Sequence, residues 1–164
     1  MGWNMIEVKV SAMAFDKVSK TPIIFLKERD GDMVLPIWIG TPEANAIAME
    51  LEGLKPPRPF THDLIKSILN AIDIKILKVV VNKIENETFY ATIVLEKDGE
   101  LFELDARPSD SIAIALRVGV SIYVEEEVME KSATSIELDD EIKKKALKEY
   151  LKNMDLEDFG KYKL

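Results

Sequence analysis

The chain has 164 residues, of which 47% are hydrophobic and 32% charged, with a formal net charge of −8 and no cysteine. This length and apolar content suit one domain with a sizeable core and exclude wholesale disorder. The missing cysteines exclude disulfides, thiolate metal sites and a cysteine nucleophile. The charge is spread evenly, −4 over residues 1–124 and −4 over residues 125–164, so no basic tail or stripe exists. That counts against tight binding to a phosphate backbone, unless a locally basic cleft or a metal-bridged phosphate offsets it.

The opening "MGWNMIEVKV" lacks the zones of a signal peptide, and no apolar run approaches the ~20 residues needed to span a bilayer. A soluble, cytoplasmic protein is expected. Lys and Glu are plentiful and Gln is absent, a bias that suits the ion-pair-rich surfaces of heat-adapted proteins.

"MIEVKVSAMAF", "TPIIFLKE" and "MVLPIWIG" read as three strands, the last two joined by the turn "ERDGD" into an antiparallel hairpin over Thr21–Ile39. Pro36 inside the third run calls for an edge position or a bulge, because proline cannot donate to a ladder. A helix is predicted next, with Thr41 as N-cap, Pro42 at the first helical position and Glu43 in the first turn, ending at Gly53. After "KPPRP" a second helix is capped by Thr61 and carries Leu64, Ile65, Ile68, Leu69 and Ile72 on its apolar face.

"KILKVVVNKI", "ETFYATIVLEK" and "GELFELDA" form a three-stranded meander with turns near "ENE" and "KDGE". Phe89, Ala91, Ile93 and Leu95 share one face of its middle strand. A third helix follows "DARPSD" and ends at Gly119, with apolar residues from Ile112 to Leu116 on all sides, so it is placed centrally. "VSIYVEE" adds a short strand. The expected fold is α+β: a mainly antiparallel sheet of about six to seven strands with three core helices packed on it, residues 1–130, followed by a charged helical extension, residues 131–164.

The second and third helices start alike. "RPFTHD" (Arg58 to Asp63) and "DARPSD" (Asp105 to Asp110) each set Arg-Pro before a hydroxyl and an acid. Capping explains the proline, Thr61 or Ser109, and Asp63 or Asp110. It does not require Arg58, Arg107 or Asp105, nor the chain's one histidine, His62, beside Asp63. Three helix N-termini facing one cleft would offer N–H groups to an anion, and two arginines would grip a phosphate bidentately. Carboxylates at Glu43, Asp63, Asp105 and Asp110 suit Mg²⁺ or Mn²⁺, which prefer oxygen ligands shared with phosphate, and His62 would act as general acid or base. The standard phosphate and zinc-protease motifs are missing.

"LPIWIGTPEANAIAMEL", "PPRPFTHDL", "TFYATIVLE" and "DARPSDSIAIALR", in this order and spacing, closely resemble the bifunctional nuclease family over roughly Met5 to Glu130. The resemblance implies an α+β domain, often assembled into oligomers, and a family named for plant members with both DNase and RNase activity. Residues of this chain in the matching motifs are Glu43, Arg58, Thr61, His62, Asp63, Asp105, Arg107, Ser109 and Asp110. Their roles come from chemistry: His62, Asp63, Asp105 and Asp110 as catalytic, Arg58, Arg107, Thr61 and Ser109 as substrate-binding, and Glu43, Asp63, Asp105 and Asp110 as metal ligands. The tail "ALKEYLKNMDLEDFGKYKL" does not show the repair-protein-binding motif that some relatives append.

Three readings follow. The first is a metal-assisted nuclease with low sequence preference. The second is an oligomeric module binding a nucleotide or phosphorylated metabolite, which the acidic charge favours over a polymer. In the third, the Arg and Asp residues form buried salt bridges that hold loops against helix starts.

Overall fold

The computed structural model describes residues 4–135 together with residues 145, 148 and 149. Its elements run β1 (Met5–Asp16), β2 (Thr21–Glu28), β3 (Met33–Trp38), α1 (Thr41–Leu51), α2 (Thr61–Ala71), β4 (Lys75–Glu85), β5 (Thr88–Lys97), β6 (Glu100–Ala106), α3 (Pro108–Val118), β7 (Ile122–Glu125), α4 (Glu126–Ser132) and β8 (Thr134–Ser135). The strands form one eight-stranded sheet in the order β6-β5-β4-β7-β1-β2-β3-β8. Every pairing is antiparallel except β4 with β7. This is the expected α+β class, with one strand and one short helix more than the sequence suggested. The proposed C-terminal helical extension lies largely outside the described residues.

Local chemistry accounts for the ladder. In the β2–β3 hairpin Ile24 faces Ile37 and Leu26 faces Leu35, and all four are buried on the side that carries the helices. Pro36 pairs with Phe25, while β8 bonds to β3 only at Met33 and Val34, so the proline stands on an open edge where its missing N–H breaks nothing. The β4–β5 turn places Asn86 and Glu87 at positive φ, and the β5–β6 turn does the same with Asp98 and Gly99, the geometry that matches strand twist in two-residue hairpins. Ala91, Ile93 and Leu95 of β5 enter the core, with Phe89 packed against it.

α3 is the centre of the helical layer. Ile112 to Ala115 are buried on every side, because the helix lies on β4 and β5 while α1 and α2 flank it. α2 rests chiefly on α3, so only part of its apolar face is covered: Ile65 packs on the core, while Leu64, Ile68 and Ile72 are about half exposed. Val128 and Met129 of α4 complete the core against β3, β4 and β7.

Each helix begins one or two residues before the expected hydroxyl caps. The N-caps are Gly40, Phe60 and Arg107, none using a side-chain cap, so Thr41 and Thr61 are first helical residues and Ser109 is the second. Backbone at all three caps is extended, and at Arg107 the Pro108 that follows favours it.

Candidate functional site

Counting from these caps, Glu43, Asp63 and Asp110 all occupy the third helical position of their helices. There a carboxylate lies within the positive end of the helix dipole and close to unpaired N–H groups. Asp63 uses one oxygen in this way, accepting from the Phe60 N–H at 3.0 Å. The remaining carboxylate capacity is spent between helices.

One chain of contacts runs from α2 to α1. His62, buried at 7% exposure, places Nε2 3.0 Å from Asp110 Oδ1. The other oxygen, Oδ2, accepts from Arg107 Nε at 2.9 Å, and Arg107 Nη2 also bonds Glu43 Oε1. Those two carboxylate hydrogen bonds raise the Arg107 pKa further above its ordinary value, so the guanidinium stays charged at every working pH. Its side chain is nonetheless 63% exposed, whereas that of Glu43 is only 13% exposed. The Glu43 carboxylate folds back over Gly40, where a Cβ would collide with Oε2.

The second network is sealed. Arg117, in the last turn of α3, donates from Nε to Asp63 Oδ1 at 2.8 Å, from Nη1 to the Ala113 carbonyl at 2.9 Å and from Nη2 to the Ala46 carbonyl at 3.1 Å. One guanidinium thus ties α1, α2 and α3 together, and Lys66 Nζ caps the Arg117 carbonyl at 3.1 Å. Sequence reasoning passed over Arg117. Its signal was an arginine inside the otherwise apolar run "SIAIALRVG", too far from a helix start to attract notice.

The expected residues therefore divide. His62, Asp110, Arg107 and Glu43 come together, and Asp63 joins Arg117 next to His62. Asp105 does not join them: it pairs in register with Thr92 on edge strand β6, one residue from Ala106, whose partner Ala91 faces the core. Alternation sends Asp105 to the opposite side of the sheet, where it is exposed. Arg58 is exposed and makes no ion pair or hydrogen bond among the described residues. Thr61 is exposed, and Ser109 is buried beneath the start of α3.

The four-carboxylate metal set is not assembled. Among the described residues no three His, Asp or Glu side chains are grouped to hold an ion. Glu43 and Asp110 face Arg107, Asp63 faces Arg117, and Asp105 is across the sheet. The residues as arranged do not fit a preformed divalent site.

Chemically, Asp110 orients the His62 ring, and Nε2 is engaged, which leaves Nδ1 as the nitrogen able to exchange a proton. An oriented imidazole beside a fixed guanidinium is equipped for proton transfer next to an anion.

Residues 24–137 match the bifunctional nuclease domain model. A similar protein, uncharacterised, from Mycobacterium tuberculosis is 40% identical over 166 residues, 94% of this chain and 98% of its own length. Bifunctional nuclease 1 of Oryza sativa subsp. japonica is 30% identical over 105 residues, and Bifunctional nuclease 1 of Arabidopsis thaliana is 30% identical over 107 residues. These cover 62% and 63% of this chain but only 32% and 33% of the plant proteins. With the match spanning β2 to β8 and enclosing both arginine networks, this chain belongs to the bifunctional nuclease domain family.

Proposed function

We propose that this protein is a nuclease that hydrolyses phosphodiester bonds in DNA and RNA with low sequence preference. The observation that carries the reading is the His62–Asp110 pair beside Arg107. His62 Nδ1 takes a proton from an attacking water, the new O–P bond forms as the P–O bond to the leaving group breaks, and the imidazolium returns the proton to the departing alkoxide. Asp110 stabilises the imidazolium, while Arg107 and the unpaired Arg58 meet the charge that builds on phosphorus oxygens.

Charge balance supports a role for a further cation. Glu43 and Asp110 bring two negative charges against one on Arg107, so an incoming phosphate gains only once His62 is protonated, Arg58 swings in, or Mg²⁺ or Mn²⁺ enters. The proposed mechanism uses this chain's own side chains. The edge strand β6, with Leu101, Phe102 and Leu104 exposed, supports a homo-oligomer. Among the described residues no helix is long and apolar enough to cross a membrane, and the lack of cysteine fits the proposed cytoplasmic setting.

A second reading is a non-catalytic oligomeric module for a small phosphorylated or nucleotide ligand with the Arg/Asp cluster partly structural; what favours it is that Arg107 and Arg117 are already paired with carboxylates. Digestion of single-stranded DNA, double-stranded DNA and RNA separates the two, run with Mg²⁺, Mn²⁺ or EDTA and beside a His62→Ala/Asp110→Asn variant. Cleavage lost in the folded variant supports the nuclease. No cleavage, or equal cleavage by both proteins, removes it and leaves the ligand-binding module.

A further inference from the structure

We infer that Trp38 and the tip of the β1–β2 hairpin form a contact surface for single-stranded polynucleotide on the face of the sheet opposite the helices. The inference rests on the nuclease reading for its substrate class. Trp38 closes β3, in register with Ile23, while its neighbour Ile37 pairs with Ile24 in the core; alternation therefore turns the indole to the face opposite the helices. It is 51% exposed, an uncommon setting for so large an apolar side chain.

The ring is held in place. Its Nε1 donates to Asp16 Oδ2 at 3.1 Å, and Asp16 Oδ1 accepts from the backbone N–H groups of Val18 and Ser19 at 2.9 and 3.3 Å. One carboxylate thus fastens the indole to the hairpin tip, and its own charge is engaged by three donors. The tip carries Lys17 and Lys20, both exposed and neither ion-paired among the described residues. In a chain of net charge −8, the hairpin tip to which the indole is tied thus carries two cations that form no ion pair among the described residues.

That combination matches single-stranded nucleic acid: bases stack on an aromatic face, and lysines follow the phosphates. Val18, 95% exposed between the lysines, and Phe15, 49% exposed beside Asp16, are the other exposed apolar residues here, so vesicle binding is made an outcome of the test.

The test is fluorescence anisotropy with a labelled single-stranded oligonucleotide of about 12 nucleotides, using full-length protein carrying His62→Ala so that cleavage does not interfere. Trp38→Ala should weaken binding about tenfold, while Trp38→Phe should stay within about threefold because the stacking surface remains. Lys17→Glu/Lys20→Glu should weaken it at least ~10-fold and flatten the log–log salt dependence by about 1.4. Asp98→Asn, in the β5–β6 turn at the opposite edge of the sheet, should change nothing.

In the otherwise wild-type background, the same tip variants should hydrolyse bis(p-nitrophenyl) phosphate at the unaltered rate. Failure of the unaltered protein to hydrolyse any diester strikes the nuclease reading, whereas the binding measurement stands without turnover. Affinity unchanged in Trp38→Ala and the lysine double variant overturns the inference. So does an unaltered protein that ignores the oligonucleotide, or one that uses the tip to bind phosphatidylglycerol vesicles instead.

Discussion

Arg117 and Asp63 meet at 2.8 Å with the arginine side chain only 4% exposed, and the same guanidinium reaches carbonyls of α1 and α3. Each nitrogen of this guanidinium has a partner, and a buried ion pair that adds little net stability in place still costs much when one partner is taken away. Arg117→Met leaves the Asp63 carboxylate without its ion-pair partner and removes one donor from each of two helix carbonyls, Ala46 and Ala113. We expect a loss of about 3–5 kcal/mol in urea unfolding. The double change Arg117→Met/Asp63→Leu should recover part of it, and a double variant no more stable than the single one would show that the ion pair is not the source.

The His62–Asp110 pair should behave differently. Asp110 is about one-third exposed at a helix start, so Asp110→Asn should move the unfolding midpoint little. Turnover should fall by about 10²–10⁴-fold, the range for loss of an oriented acid–base group. His62→Ala should fall as far, and the double variant no further, because the two act as one unit.

Gly40 tests how tightly Glu43 is held. Its φ of −72° is open to any residue, so Gly40→Ala carries no backbone penalty. The added methyl meets the Glu43 carboxylate, which must leave Gly40 and thereby disturb its bond to Arg107. A crystal structure of the variant should show Arg107 bonded to Asp110 alone. Stability should change by less than about 1 kcal/mol, since the Arg107 side chain is mostly exposed.

Glu125 supplies a pH test. Partial burial, with the nearby Glu127 charge adding to it, raises its pKa above the ordinary carboxylate value. A raised folded-state pKa means that the group contributes stability below its unfolded pKa of 4.5, and that this contribution is lost as pH rises through the folded value. Glu125→Gln should therefore be more stable than the parent at pH 7, by about 0.5 kcal/mol or less. The gap should close as pH falls below about 4.5. A gap independent of pH would show that the charge is not responsible.

Much of this fold was legible in one dimension because the elements announce themselves locally. Alternation placed Ala91, Ile93 and Leu95 inward, Pro36 demanded an edge, and the all-round apolar stretch from Ile112 required a central helix. The helix starts were legible as regions but not to the residue, since a hydroxyl one position inside a helix reads the same as a cap. The apolar face of α2 was read too broadly because periodicity marks what can be buried, and only packing against α3 decides how much is covered.

By itself the sequence determined the α+β class, the order of the main strands and helices, and the gathering of charge at three helix N-termini, all consequences of short-range periodicity and turn chemistry. Tertiary structure alone decided which charges met. Glu43 and Arg107 are 64 residues apart, His62 and Asp110 are 48 apart, and Asp63 and Arg117 are 54 apart. Nothing local in the chain separates these pairings from the rejected one, in which Asp105 joins Asp110. The choice comes from a one-residue alternation at the end of β6 that turns Asp105 away, and from the docking of α1 and α2 on α3 that sets Glu43, Asp63 and Asp110 each against an arginine.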